Sequence, residues 1–245
     1  MNRRAFLSVF IVLSFVFSSF AQTAKVEDDL VLKYVVQQPP AQTRKPPVLI
    51  MLHGYGGEEQ NMFQLRRFMP AHFLIVAARA PQPVSATGFR WFERDISIRN
   101  KYSGRKEDLE SSRKLLIRFV DQVVAKYHAD PANVFVMGFS QGGIMSYEAG
   151  LTSPRTIKGI GVLSGLLPQS LKPLIRPKTE LAGLRIFVAH GTADGVLPYT
   201  DGKDATDYLQ SIGLKPELHT YTGMEHTISS EVVSDLVKWL NQQVK

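Results

Sequence analysis

Residues 133–143 read NVFVMGFSQGG. Val134 to Met137 is a run of strand formers, and it stops at Gly138-Phe139-Ser140-Gln141-Gly142, one hydroxyl flanked by glycines. Gln141 to Leu151 then reads as a helix. A plain turn uses Gly and Ser in this way. The sharper reading is a nucleophile elbow, since G-x-S-x-G between a strand and a helix lifts a serine hydroxyl off the end of a sheet. The glycines have a physical reason there. The serine backbone is strained, and a Cβ two residues to either side would crowd the turn. The rest of the chain has to decide between the two.

On either side of the elbow, strand and helix patterns alternate. Val26 to Val36 reads as an opening strand, and Pro47 to Leu52 and Phe73 to Ala78 as near-continuous apolar strands buried on both faces. Glu58 to Phe68 is an expected helix. Lys106 to Tyr127 is another, with an apolar stripe of Leu109, Leu115, Leu116, Phe119, Val120, Val123 and Val124. Downstream, Gly159–Leu163, Leu184–Ala189 and Leu218–Tyr221 read as strands. Asp204–Ile212 and Thr227–Val244 read as helices, the last with Val233, Leu236, Val237 and Leu240 inward. Alternation of this kind predicts an α/β fold with a mostly parallel sheet covered on both faces. In such sheets functional groups gather beyond the carboxyl ends of the strands.

The first 21 residues have a different character. Met1-Asn2-Arg3-Arg4 is basic, Ala5 to Phe17 is apolar, and Ser18-Ser19-Phe20-Ala21 offers a small-residue cleavage site. This is the anatomy of a secretory signal peptide, and the apolar run is well short of the roughly 20 residues of a spanning helix. The expectation is a signal over residues 1–21, one domain over 22–245, a periplasmic or extracellular location, and no stable membrane anchor after cleavage. Cleavage removes Arg3 and Arg4, so the net charge falls from +7 to +5. The basic residues are dispersed except between Arg99 and Lys106, a cluster read as a solvated loop, and no nucleic-acid-binding pattern appears. The chain has no cysteine, which excludes disulfides and thiolate metal or redox sites.

A serine nucleophile needs a base, and the base needs an orienting acid, following in the chain order Ser, acid, His. Three histidines follow Ser140. His190 precedes every plausible acid, and His219 lies inside a strand. His226 follows the last strand in Gly223-Met224-Glu225-His226, immediately before a helix, and is the expected base. Asp194, just beyond the strand ending at Ala189, is the expected acid. Asp201 and Asp204 read instead as the start of the next helix, and Glu225 adjoins the histidine. The oxyanion hole needs two N–H donors. One is expected from the backbone of Gln141 and the other from Tyr55, in the glycine loop His53-Gly54-Tyr55-Gly56-Gly57.

Taken in order, His53-Gly54-Tyr55-Gly56, Gly138-Phe139-Ser140-Gln141-Gly142-Gly143, His190-Gly191-x-x-Asp194-x-x-Leu197-Pro198 and Gly223-Met224-x-His226 resemble the blocks of the phospholipase/carboxylesterase family, which includes the acyl-protein thioesterases. The resemblance implies an α/β-hydrolase fold without a large cap domain and a serine hydrolase of carboxylic esters or thioesters, with no cofactor and no metal. Arg90-Trp91-Phe92 is similar to the family's Trp-Phe segment beside the acyl site, so Trp91 and Phe92 are expected to bind substrate. Tyr55 stands where the family often has leucine.

The resulting expectation is an exported serine carboxylesterase for small-molecule esters of short to medium acyl chain. Trp91 and Phe92 would wall a short cleft in which each buried methylene contributes about 0.8 kcal/mol. A carbohydrate-linked (acetyl or feruloyl) esterase, a lysophospholipase or acyl thioesterase, and a catalytically silent binding module are the alternatives. A metal hydrolase would need clustered His and carboxylate ligands. His53, His190 and His226 sit instead in glycine contexts that suit loop backbone.

Overall fold

The computed structural model describes residues 24–40, 43–95 and 104–244. The signal segment and residues 96–103, with Arg99 and Lys101 of the basic cluster, lie outside the described residues.

In chain order the elements are β1 (Tyr34–Gln37), β2 (Val48–Leu52), α1 (Glu59–Phe63), β3 (Leu74–Ala78), a short hairpin of β4 (Gln82–Pro83) and β5 (Phe89–Arg90), and α2 (Lys106–Lys126). Then follow β6 (Val134–Phe139), α3 (Gln141–Gly150), β7 (Gly159–Leu163), α4 (Lys178–Leu181), β8 (Arg185–Gly191), α5 (Tyr199–Ser211), β9 (Pro216–Tyr221) and α6 (Ser230–Gln243). Seven strands form one sheet in the order β1-β3-β2-β6-β7-β8-β9. Only β1 runs antiparallel to its neighbour.

Side-chain alternation divides the core in two. Val48, Ile50 and Leu52 of β2, Val134 and Val136 of β6, and Ile186 and Val188 of β8 face a cluster with Leu116 and Phe119 of α2, Ile144 and Tyr147 of α3, and Leu209 of α5. Leu49, Met51, Phe135, Met137 and Phe187 face the opposite cluster with Met62 and Phe63 of α1 and Leu236, Trp239 and Leu240 of α6. Both faces of each central strand are therefore buried, which is why those strands read as unbroken apolar runs.

Three expectations change. The opening strand spans only Tyr34–Gln37, because Glu27 doubles back to pair with Tyr34 and the Val31 N–H goes to the Gln122 side chain of α2 (2.9 Å). The helix expected over 58–68 holds α geometry to Phe63 and tightens to a 3₁₀ turn over Gln64–Phe68. The helix expected from Asp204 starts at Tyr199, directly after Pro198, so Asp201 lies in its first turn and Asp204 beyond it.

Candidate active site

β6 delivers Ser140 to the end of the sheet. Its φ is +54°, a left-handed conformation for a residue with a Cβ, at a cost of about 1–3 kcal/mol. The surroundings hold it there. The Ser140 N–H donates to Leu163 O at the end of β7 (2.9 Å), and its carbonyl accepts from Ile144 N (3.0 Å) as α3 begins. The flanking glycines are sterically required. A Cβ on Gly138 would stand 2.2 Å from the Gly142 carbonyl, and one on Gly142 would stand 2.2 Å from Leu52 O of β2. The crowding expected from the sequence is thus present, and it presses the elbow against the strand that leads into the glycine loop.

Beyond β8, Asp194 is buried and its two carboxylate oxygens divide their work. Oδ1 accepts from the N–H groups of Val196 and Leu197 (both 2.9 Å), and Oδ2 lies 2.7 Å from Nδ1 of His226. Burial alone would raise this carboxyl's pKa, but the His226 hydrogen bond and the two backbone N–H donors hold it below the ordinary carboxylate value. A carboxylate only accepts, so Nδ1 of His226 carries the proton and Nε2 is left with its lone pair. The imidazole is partly buried and tilted at 4.8 Å against the ring of Phe139, the residue before Ser140. The acid loop and the histidine loop are tied together, Ala193 N–H to Met224 O (3.1 Å) and Gly223 N–H to the Thr192 hydroxyl (2.8 Å). Asp201 and Asp204, on α5, are not the carboxylates that meet His226.

His190 is fully buried, donates Nε2–H to Leu197 O (2.8 Å) and stands 3.5 Å from Oδ2 of Asp194, so it braces the acid loop from inside the sheet. His219 stacks on Phe187 at 4.4 Å. His53 is buried with both ring nitrogens engaged, Nδ1–H to Gly54 O (2.7 Å) and Nε2 accepting from Ala80 N–H (3.0 Å), and burial lowers its pKa to about 4. Among the described residues no group of three or more His, Cys, Asp or Glu is arranged to hold a metal ion.

The glycine loop comes close to the nucleophile: a Cβ on Gly54 would lie 3.3 Å from Cβ of Ser140. Gly56 N–H and Phe89 O, and Phe89 N–H and Gly57 O, lace the loop to β5 (2.8 and 2.9 Å). No hydrogen bond engages the Tyr55 N–H among the described residues, and the Tyr55 ring is 60% exposed rather than packed in the core. Gln141 follows Ser140 directly and opens α3, and Tyr55 follows Gly54, the glycine that approaches the serine.

Trp91 and Phe92 require a correction. Each has 0% exposure and belongs to the main core cluster, so neither ring walls an open cleft. The reason is local. The Trp91 indole N–H donates to His53 O (2.9 Å), and the backbone of both residues is bound by the Gln141 side chain, which draws the segment inward. The sequence offered no signal for these bonds, which join positions 38 to 50 residues apart. Exposed apolar side chains at the site are instead Tyr55 and Val196, the latter 58% exposed two residues after Asp194.

Residues 33–244 match the family model described as Phospholipase/Carboxylesterase. A probable carboxylesterase of Oryza sativa subsp. japonica is 31% identical over 84% of this chain and 80% of its own. Acyl-protein thioesterase 1 of Mycosarcoma maydis is 31% identical over 87% of this chain and 98% of its own. The crystal structure of esterase PE8 superposes with a TM-score of 0.74 at 25% identity, covering 85% of this chain and 97% of that one.

Proposed function

This chain belongs to the phospholipase/carboxylesterase family, a serine hydrolase of carboxylic esters with the α/β-hydrolase fold, and from that premise we propose a Ser140-His226-Asp194 triad in an exported carboxylesterase of short- to medium-chain esters. One observation carries the assignment: a serine strained to φ +54° on a glycine elbow, directly after Phe139, whose ring lies 4.8 Å from that of a histidine with its Nδ1 2.7 Å from a buried carboxylate.

In this reading the Ser140 hydroxyl attacks the ester carbonyl while Nε2 of His226 takes its proton. Asp194 keeps Nδ1 protonated and stabilises the imidazolium. The carbonyl oxygen becomes an alkoxide held by the N–H groups of Tyr55 and Gln141. Collapse expels the alcohol, which takes the proton from His226 and leaves an acyl-enzyme. Water repeats the sequence and releases the acid. Residues 1–21 have the composition of a signal peptide, which supports export to the periplasm or beyond.

Short acyl chains are supported by how little structure is available to cover a long one: among the described residues the segment between β7 and β8 holds only a 3₁₀ turn and the four residues of α4. Cleavage of longer acyl thioesters is a second reading, supported by the likeness to the fungal acyl-protein thioesterase. A series of p-nitrophenyl esters from acetate to palmitate, run on the wild type and Ser140→Ala, tests both. Rates that peak at butyrate or hexanoate support the short-chain reading, and rates still rising at palmitate support the second. Ser140→Ala should lower kcat on the order of 10⁵-fold or more and abolish labelling by a fluorophosphonate. Labelling that survives in that variant removes the triad assignment.

A further inference from the structure

The side chain of Gln141 has no exposure and is used at both ends. Oε1 accepts from the Trp91 N–H (3.0 Å) and Nε2 donates to Phe92 O (3.0 Å). The partners fix which atom is which, since an N–H requires the amide oxygen and a carbonyl requires the NH₂. Trp91 passes the connection on. Its indole Nε1, a donor only, reaches His53 O (2.9 Å), one residue before Gly54 and two before Tyr55. The Trp91 carbonyl accepts from the hydroxyl of Ser112, buried in α2.

Resting on the assignment of Ser140 as nucleophile, we propose that the Gln141 side chain and the Trp91 indole are positioning residues for the oxyanion hole, clamping its two backbone donors to each other. The need for such a clamp follows from the topology. One donor belongs to the β6–α3 junction and the other to the loop after β2. Strand pairing aligns those two only as far as Leu52 beside Gly138. Past that pair β2 ends while β6 stays paired only with β7, through Phe139, so no ladder bond between β2 and β6 fixes their separation. Donors stabilise an alkoxide when their spacing is set before the charge develops. A continuous path from the Gln141 amide through Trp91 to His53 supplies that spacing from inside the core. Only glutamine fits the first link. A glutamate would offer two acceptors, one of them facing the Phe92 carbonyl, and an apolar side chain would offer nothing.

The test uses Trp91→Phe and Gln141→Met in the full-length mature protein, with Ser140→Ala as reference. Trp91→Phe keeps an aromatic ring and deletes the donor. Gln141→Met keeps volume and deletes both bonds, while the backbone N–H at 141 remains. Each variant should lower kcat by roughly 10- to 100-fold with KM within about twofold, because the clamp acts on the charged intermediate and not on bound ester. The affinity of a trifluoromethyl ketone, which forms an alkoxide on the serine, should fall in proportion to kcat/KM. The double variant should lose much less than the product of the two single losses, as expected of links in one path.

Gln141→Glu adds a readout that packing alone would not produce. Its protonated carboxyl can accept from Trp91 and donate to Phe92. Activity relative to the parent at the same pH should therefore be highest at low pH and fall as pH rises through the ionisation of that carboxyl. If folded Trp91→Phe keeps kcat and ketone affinity within about twofold of the parent, the clamp is overturned, whatever happens to Tm. Trp91→Phe also decides the matter if Gln141→Met fails to fold. Hydrolysis by Ser140→Ala would instead overturn the nucleophile assignment itself.

Discussion

Single residues at this site are set by what each atom can donate or accept. Asp194 has no free oxygen: Oδ1 is committed to two backbone N–H groups and Oδ2 to His226. Asp194→Asn would replace one acceptor by an NH₂, forcing His226 into the other tautomer. It should cost roughly 10⁴ in kcat, while Asp201→Asn and Asp204→Asn stay near the parent. Damage confined to Asp201→Asn would show that the acid was misread. His53 gives a prediction of another kind, because burial lowers its pKa from 6.5 to about 4. Above pH 6.5 the folded and unfolded chains both carry it neutral, and its contribution is complete. Between pH 6.5 and 4 only the unfolded chain takes up the proton, so stability falls as the pH falls. The loss approaches about 3 kcal/mol below pH 4. Denaturant midpoints across this range should drop steeply for the parent and more gently for His53→Gln. Parallel slopes would exclude the histidine as the cause.

At the level of elements, the sheet was legible because parallel strands buried on both faces must be apolar throughout, as in Val48–Leu52 and Gly159–Leu163. The bond between His226 and Asp194 was legible because the chain order that the elbow pattern implies puts the acid before the last histidine. Boundaries that depend on tertiary bonds were not. The segment from Asp28 to Leu32 looks like strand, yet α2 captures its backbone. Trp91 looks like a cleft wall, yet its indole finds a carbonyl 38 residues away. The elbow glycines make the elemental scale testable. Gly142→Ala pushes a Cβ to 2.2 Å from a strand carbonyl and should separate α3 from β2, with loss of both activity and thermal stability. Gly183, after α4, has nothing within 4 Å of an added Cβ and φ outside the left-handed region. Gly183→Ala should therefore stabilise by about 0.4–1 kcal/mol by restricting the unfolded chain. Equal melting shifts for the two alanines would contradict the steric account of the elbow.

Across the whole molecule, export predicts that the native-compartment protein begins at Gln22, readable by N-terminal sequencing or intact mass. Protein retaining Met1 in a cytoplasmic fraction would count against it. The strand order carries a consequence for timing. In the proposed assignment the oxyanion loop follows β2, the nucleophile β6, the acid β8 and the base β9. These strands belong to one sheet, with β7 between β6 and β8, and the pairing of β2 with β6, which joins segments far apart along the chain, is slow to form. A chain still emerging from the ribosome, or still threading through a membrane pore, holds a serine with no base to activate it. In that assignment hydrolysis waits until β9 has docked and brought the histidine loop to the sheet. An esterase made in one compartment for use in another would thereby stay silent towards the esters of the cell that makes it.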